Sequence, residues 1–380
     1  MSPSSTLRTA WIVLILASAP IARADYTLID LGAIAPIGST RVQAMNASGV
    51  AVGTMRTNGV DQVYRLDGGS GGSSLPGTAT SSGALGVNEH GDFAGSFVDP
   101  RNGNVAHAFR VVDGMFQDLG TLPGGSAVGT AINGAGDVAG YGYLPGGIQR
   151  AFRSMGGGSL TAIDPLAGGI SSSASGINLA GTVVGTSQLG NGVNRAFIAE
   201  LGGPAQDLLG LHPGSSFTGS TYATGINDQG VVIGYGDFGV NSHAFLAPVS
   251  GPLIDLGVAG SARSSLAYGL NGKNQVVGVL GYGGGLTHAF YWDELSRMVD
   301  LNTVLSARDR ESWVLTHAFA IGDTGRITGL GYKDGELHAF ALQPNIVPEP
   351  PAWALTAIGG TIAAGWARLR RGRRPGRAGA

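Results

Sequence analysis

The sequence predicts an all-β fold: a seven-bladed β-propeller of four-stranded blades, with the N-terminal strand completing the last blade. A signal peptide and a C-terminal membrane-spanning helix flank it. Three observations predict this. The chain has 380 residues with 67 Gly, 13% charged residues and no Cys, a composition suited to short strands and tight turns. One unit recurs seven times along the chain, at a period typical of a propeller blade. The last copy lacks one strand, and the start of the mature chain offers a spare one. The absence of Cys excludes disulfide staples, thiolate metal sites and cysteine nucleophiles. The 17 Pro and the lack of a Gly-X-Y period exclude collagen. A 43% hydrophobic content excludes wholesale disorder.

Residues 1–24 read as a secretory signal peptide. Arg8 supplies the positive start, Ala10 to Ala19 the apolar run, and Ala22 and Ala24 the small residues before the cut at Asp25. The apolar run is too short to span a bilayer.

Residues 25–342 hold the repeats. Each is anchored on an Asn after an aliphatic residue: Asn46, Asn88, Asn133, Asn178, Asn227 and Asn271, with Gly322 in the seventh copy. A small residue stands two before the anchor (Ala44, Gly86, Ala131, Gly176, Gly225, Gly269, Ala320) and a Gly seven after it (Gly53, Gly95, Gly140, Gly185, Gly234, Gly278, Gly329). Next comes an aromatic column: Tyr64, Phe109, Phe152, Phe197, Phe245, Phe290 and Phe340. Two residues before each aromatic stands a hydrogen-bond donor: Gln62, His107, Arg150, Arg195, His243, His288 and His338. An acidic strand follows in most copies, through Asp118, Asp164, Asp207, Asp255 and Asp300. The Asn-x-x-Gly spacing marks a turn with a residue at positive φ. Each unit therefore reads as four strands. The seventh copy stops after its third, and Asp30-Leu31-Gly32 carries the fourth-strand pattern. Pairing that strand into the last blade closes the ring and removes open sheet edges. A β-solenoid or two sandwiches would not explain this offset.

Residues 343–351 form a linker with Val347-Pro348-Glu349-Pro350, 352–367 an apolar uncharged stretch, and 368–380 a basic tail of six Arg. Sixteen residues of helix rise ~24 Å, slightly less than a hydrocarbon core. The flanking prolines and a snorkelling Arg368 make up most of the rest. The positive-inside rule leaves the Arg in the cytoplasm. Without both ends, Asp25 to Ile346 carries 15 Lys and Arg against 24 Asp and Glu, a net charge of −9. That disfavours nucleic acid and anionic membrane surfaces as partners.

The Pro-Glu-Pro motif, apolar segment and Arg-rich end together resemble a PEP-CTERM sorting signal. The resemblance implies an exosortase as processing partner, transient insertion in the inner membrane of a Gram-negative bacterium, and delivery to the cell surface or an extracellular polymer matrix. The repeated His-Ala-Phe, as at His107-Ala108-Phe109, resembles the extracellular HAF-repeat family over most of Tyr26 to Leu342. That family implies location and repeats, with no activity to carry over.

Four His at matching positions could converge on a metal at the axis. Arg and Gln in the same column point instead to a structural hydrogen bond made once per blade, with the Asp column as acceptor. No metal or other cofactor is expected. A functional site should show as a departure from the repeat, and three segments depart. They are Phe97 to Asn104, with Asp99 and Arg101; Leu211 to Tyr222, with His212, Phe217 and Tyr222; and Asn302 to Trp313, with Asp309, Glu311 and Trp313. Exposed aromatics there would stack on sugar faces while Asp and Arg bind hydroxyls. In an extended segment Asp309 and Glu311 point to opposite faces, a poor acid–base pair. No nucleophile elbow, zincin, P-loop or EF-hand motif is present. The expected role is non-enzymatic, a surface or matrix module that binds exopolysaccharide or a matrix protein or serves as a structural spacer. The alternative is a glycoside hydrolase or lyase with its carboxylates in the departing loops.

Overall fold

A computed structural model of the protein describes residues 26–34, 40–67, 70–71, 81–98 and 100–345. The signal peptide and its Ala22 and Ala24, Asp99, the Val347–Pro350 motif and the C-terminal apolar stretch lie outside the described residues. No helix among the described residues is long and apolar enough to cross a membrane.

The described chain forms seven antiparallel sheets of four strands. The innermost strands are Thr40–Met45, Ser81–Val87, Ala127–Ile132, Gly169–Ile177, Thr221–Ile226, Ser264–Leu270 and Trp313–Ile321. Six sheets run in chain order from the inside outwards. The seventh takes its outer strand from the other end of the chain, as the sequence predicts. Tyr26–Ala33 pairs with Glu336–Pro344, with Tyr26 opposite Pro344 and Asp30 opposite Phe340.

The repeated columns now have physical reasons. The residue three after each anchor takes positive φ in all seven turns, from Gly49 through Asn274 to Gly325. The seven column aromatics, Tyr64 to Phe340, are the largest fully buried side chains, and they pack in clusters that join one blade to the next. Each lies directly opposite the column Gly of the neighbouring strand, as Phe152 does Gly140 and Phe290 does Gly278. A Cβ on Gly140 would collide with the Val128 carbonyl oxygen and come within 2.8 Å of the Phe152 ring. Only Gly lets the inner strand and the ring occupy that space.

The small column before the anchor serves contact between blades. A Cβ on Gly86 would lie 2.7 Å from the Thr130 carbonyl, and one on Gly269 2.5 Å from the Phe319 carbonyl. Inner strands of adjacent blades therefore approach backbone to backbone. Every inner strand also breaks register between the fourth and second residues before the anchor, as at Val42/Ala44 and Ala267/Gly269. This bulge re-aims one side chain per blade.

Candidate functional site

The anchor Asn does more than turn the chain. Its Oδ1 accepts backbone N–H groups of its own turn, as Asn46 does from Gly49 and Val50. Its Nδ2 donates to the anchor carbonyl of the next blade. The chain of bonds runs Asn46 to Asn88 (2.8 Å), Asn88 to Asn133 (2.9 Å), Asn133 to Asn178 (2.8 Å), Asn178 to Asn227 (3.2 Å), Asn227 to Asn271 (3.1 Å) and Asn271 to Gly322 (3.0 Å). Gly322 has no side chain to continue it. Thr328, fully buried and six residues on, donates to the Asn46 carbonyl at 2.8 Å and closes the circle.

The donor column behaves as a structural bond. The Nδ1 of His107 lies 3.0 Å from Asp118, that of His243 3.1 Å from Asp255, and that of His288 2.6 Å from Asp300. In the closing blade the His338 Nδ1 lies 2.9 Å from Asp30, which also accepts from Lys333 at 2.9 Å. Burial works to raise Asp30, but the bonds from His338, Lys333 and the Gly32 amide prevail and lower it to about 2. Asp300 is likewise lowered, because hydrogen bonds from His288 and Tyr282 outweigh the effect of burial. Arg195 reaches Asp207 at 4.0 Å. Arg150 departs and donates to the Ile170 carbonyl at 3.0 Å. The four His thus sit in separate blades, each against its own carboxylate, and do not converge. Among the described residues no three metal-ligating side chains come together.

The departing loops are placed differently from the expectation of exposed aromatics. Phe217 is 5% exposed and meets Phe245 edge-on at 5.7 Å. Trp313 is also 5% exposed, opens the last inner strand and stands edge-on to His338 at 5.7 Å. Both plug gaps beside their blades, because a large ring gains more from burial than from water. His212 is buried at the end of a helical turn, α1 (Leu208–Leu211), with Nδ1 2.7 Å from the Gly251 carbonyl. Tyr222 is half-buried on an inner strand, stacked on Tyr235 at 4.9 Å, and its hydroxyl accepts from Asn194. Arg101 is exposed in a short 3-10 turn, Pro100–Asn102. Asp309 and Glu311 lie in a second helical turn, α2 (Asp309–Ser312), rather than in an extended segment. Asp309 accepts from the Ser306 hydroxyl at 2.8 Å, and its amide donates back to that hydroxyl at 3.1 Å, so its carboxylate is engaged locally. Two residues apart on a helix, the two carboxylates still do not face each other.

One concavity of about 490 Å³ is lined in part by Leu211 and His212, and a roomier one lies on the propeller axis. A cavity of about 680 Å³ is lined by the inner strands of the blades, a size ordinary for a small-ligand site. The bulged residue three before each anchor faces it: Gln43, Leu85, Thr130, Ser175, Thr224, Tyr268 and Phe319. This column varies where its neighbours are constant. Thr130, Ser175 and Thr224 donate to the carbonyls of Ala174 (2.7 Å), Ala223 (2.5 Å) and Ala267 (2.8 Å) in the following blade. On the other arc Tyr268 and Phe319 are parallel at 5.9 Å, and His317 continues the row at 6.2 Å from Phe319. Burial raises the phenol of Tyr268, and it raises Tyr235 with further help from neighbouring Tyr222 and Tyr268. Burial lowers His317, which favours its neutral form. Glu89 is the one carboxylate among the described lining residues. Burial raises it, and its Oε1 accepts the Ala47 amide at 3.3 Å.

The departing loops did not lead to this wall. A signal was present nonetheless. The triplet His-Ala-Phe occurs once out of register, at 317–319, and that copy faces the channel rather than a blade core.

No protein-family model and no curated relative matches the chain. Solved structures with a similar chain path include puromycin hydrolase, 14% identical with a TM-score of 0.48 over 80% of this chain and 52% of that one. YCF48 bound to D1 peptide is 14% identical, with a TM-score of 0.47 over 86% and 96%. The BP39L lectin from Burkholderia pseudomallei is 11% identical, with a TM-score of 0.42 over 85% and 97%. The chain spans about half the length of puromycin hydrolase and, at 64%, somewhat more of TolB from Acinetobacter baumannii.

Proposed function

We propose that this is an exported, exosortase-sorted β-propeller of the cell surface or extracellular matrix, which binds exopolysaccharide without cleaving it. One observation carries the binding half of this reading. The axial cavity is walled by backbone, hydroxyls and aromatic rings, with Glu89 as the one carboxylate among the described lining residues. Glycoside hydrolysis ordinarily needs two carboxyl groups across a scissile bond, so the wall suits holding a polymer better than cutting it. The signal peptide, the Pro-Glu-Pro terminus and the −9 body support export and a non-nucleic-acid partner. A fold of this kind hosts many activities, so the site and not the propeller bears the argument.

The test combines retention and cleavage in one vessel. The purified full chain is mixed with exopolysaccharide from the producing cell, and bound protein and new reducing or unsaturated chain ends are measured together. Retention with no new ends is the expected result. New ends appearing in proportion to protein would overturn the reading in favour of a hydrolase or lyase.

A further inference from the structure

We infer that the aromatic arc of the axial channel, Tyr268, Phe319 and His317, is a subsite for an uncharged pyranose ring. The inference rests on the binding reading above and names the chemistry that the same cavity would select.

The first argument is shape. Tyr268, Phe319 and His317 present nearly parallel rings, 13° and 17° between planes, at 5.9 and 6.2 Å. Those spacings are on the order of one sugar ring. A row of near-parallel ring faces suits the C–H face of a pyranose, which is apolar and mildly positive against a negative ring face. Tyr268 is 36% exposed in the cavity although it belongs to an inner strand, so its ring is not used up in packing.

The second argument is polarity. The His317 ring stands against Phe319 and lines the cavity, whereas the column His side chains are all bonded to Asp. A neutral imidazole offers one donor and one acceptor, and a sugar hydroxyl uses either.

The third argument is charge. Glu89 stands in the cavity lining. Asp228 and Asp323 hold equivalent turn positions, accepting the amides of Leu179 at 2.8 Å and Gly272 at 2.9 Å. With a body at −9 and no Lys or Arg among the described residues lining the cavity, the channel disfavours carboxylated sugars. Stacking without cationic partners therefore selects uncharged rings over uronates.

The test is calorimetric titration of the full chain with cellohexaose and with a hexamer of galacturonic acid, beside matrix retention by the same samples. Cellohexaose binding, with at least tenfold weaker binding of the uronate, is the expected result. Tyr268→Ala and Phe319→Ala should each weaken cellohexaose binding about tenfold, which is about 1.4 kcal/mol. Tyr268→Phe keeps the ring and should stay within about threefold of wild type, which separates stacking from misfolding. Equal binding of cellohexaose by Tyr268→Ala, Phe319→Ala and wild type would overturn the subsite while leaving matrix retention intact. Tighter binding of the uronate would overturn the selectivity. Loss of retention in the wild type itself would remove the binding reading and this inference together.

Discussion

The two arcs of the channel wall use one position of the repeat in opposite ways. In blades three to five the bulged residue is Thr130, Ser175 or Thr224, and each hydroxyl is spent on a carbonyl of the next blade. In blades six and seven it is Tyr268 or Phe319, and the rings stand against each other in the cavity. The backbone around both arcs is alike: the same bulge, the same small residue beside it and, in every blade but the seventh, the same Asn-to-carbonyl bond. A bulge makes a side chain face the axis in every blade. Whether that side chain ties the ring together or remains open to a ligand is then decided by chemistry at one position.

The largest expected effect shows what the arcs share. Gly140→Val on the hydroxyl arc and Gly278→Val on the aromatic arc each drive a side chain into a backbone carbonyl and a buried ring. Each should cost about 3 kcal/mol or more, read as the shift of the urea midpoint. A large difference between the two would mean that the blades are not equivalent scaffolds.

Ring closure comes next. Thr328→Val leaves the Asn46 carbonyl without its buried donor and should cost about 1–3 kcal/mol. Thr224→Val removes a partly buried bond on the hydroxyl arc and should cost about 1 kcal/mol. Neither should alter glycan retention. Tyr268→Ala, by contrast, should change stability by no more than about 0.5 kcal/mol while weakening cellohexaose binding about tenfold. If Thr224→Val abolished binding and left stability unchanged, the division of labour between the arcs would be wrong.

Acid sharpens the comparison at the closing blade. Asp30 titrates at about 2 in the folded protein against an ordinary 3.8. Its stabilising contribution is complete above the ordinary value and disappears as pH falls from about 4 through about 2. Unfolding midpoints measured from pH 6 down to 2.5 should therefore fall less steeply in Asp30→Asn than in wild type. An identical slope would place the acid sensitivity elsewhere, Asp300 being the next carboxylate held low.

The scaffold was legible because its constraints repeat. The Gly column, the aromatic column and the Asp opposite each His recur at fixed offsets, and Asp30-Leu31-Gly32 declares itself a fourth strand out of place. The inter-blade role of the Asn was not legible, since a turn explains an Asn well enough. Its trace was the coupled exception in the seventh copy, where Gly322 and Thr328 depart together. The loops misled for a physical reason. Sequence irregularity marks both binding loops and plugs, and Phe217 and Trp313 prove to be plugs. The channel column was hidden because a bulge breaks the strict alternation from which facing is read.

The pairing of Tyr26 with Pro344 sets an order of events. The outer strand of the last blade precedes every other strand of the propeller in the chain, yet its partner arrives more than 300 residues later. Until then the ring is a crescent with two unsatisfied edges, so the latch is the final assembly step and a long-range, slow one. The seam is a matter of chain connectivity and not of the architecture. A circular permutant that joins the two ends and opens at another hairpin tip would keep every strand pair and let a different blade close last.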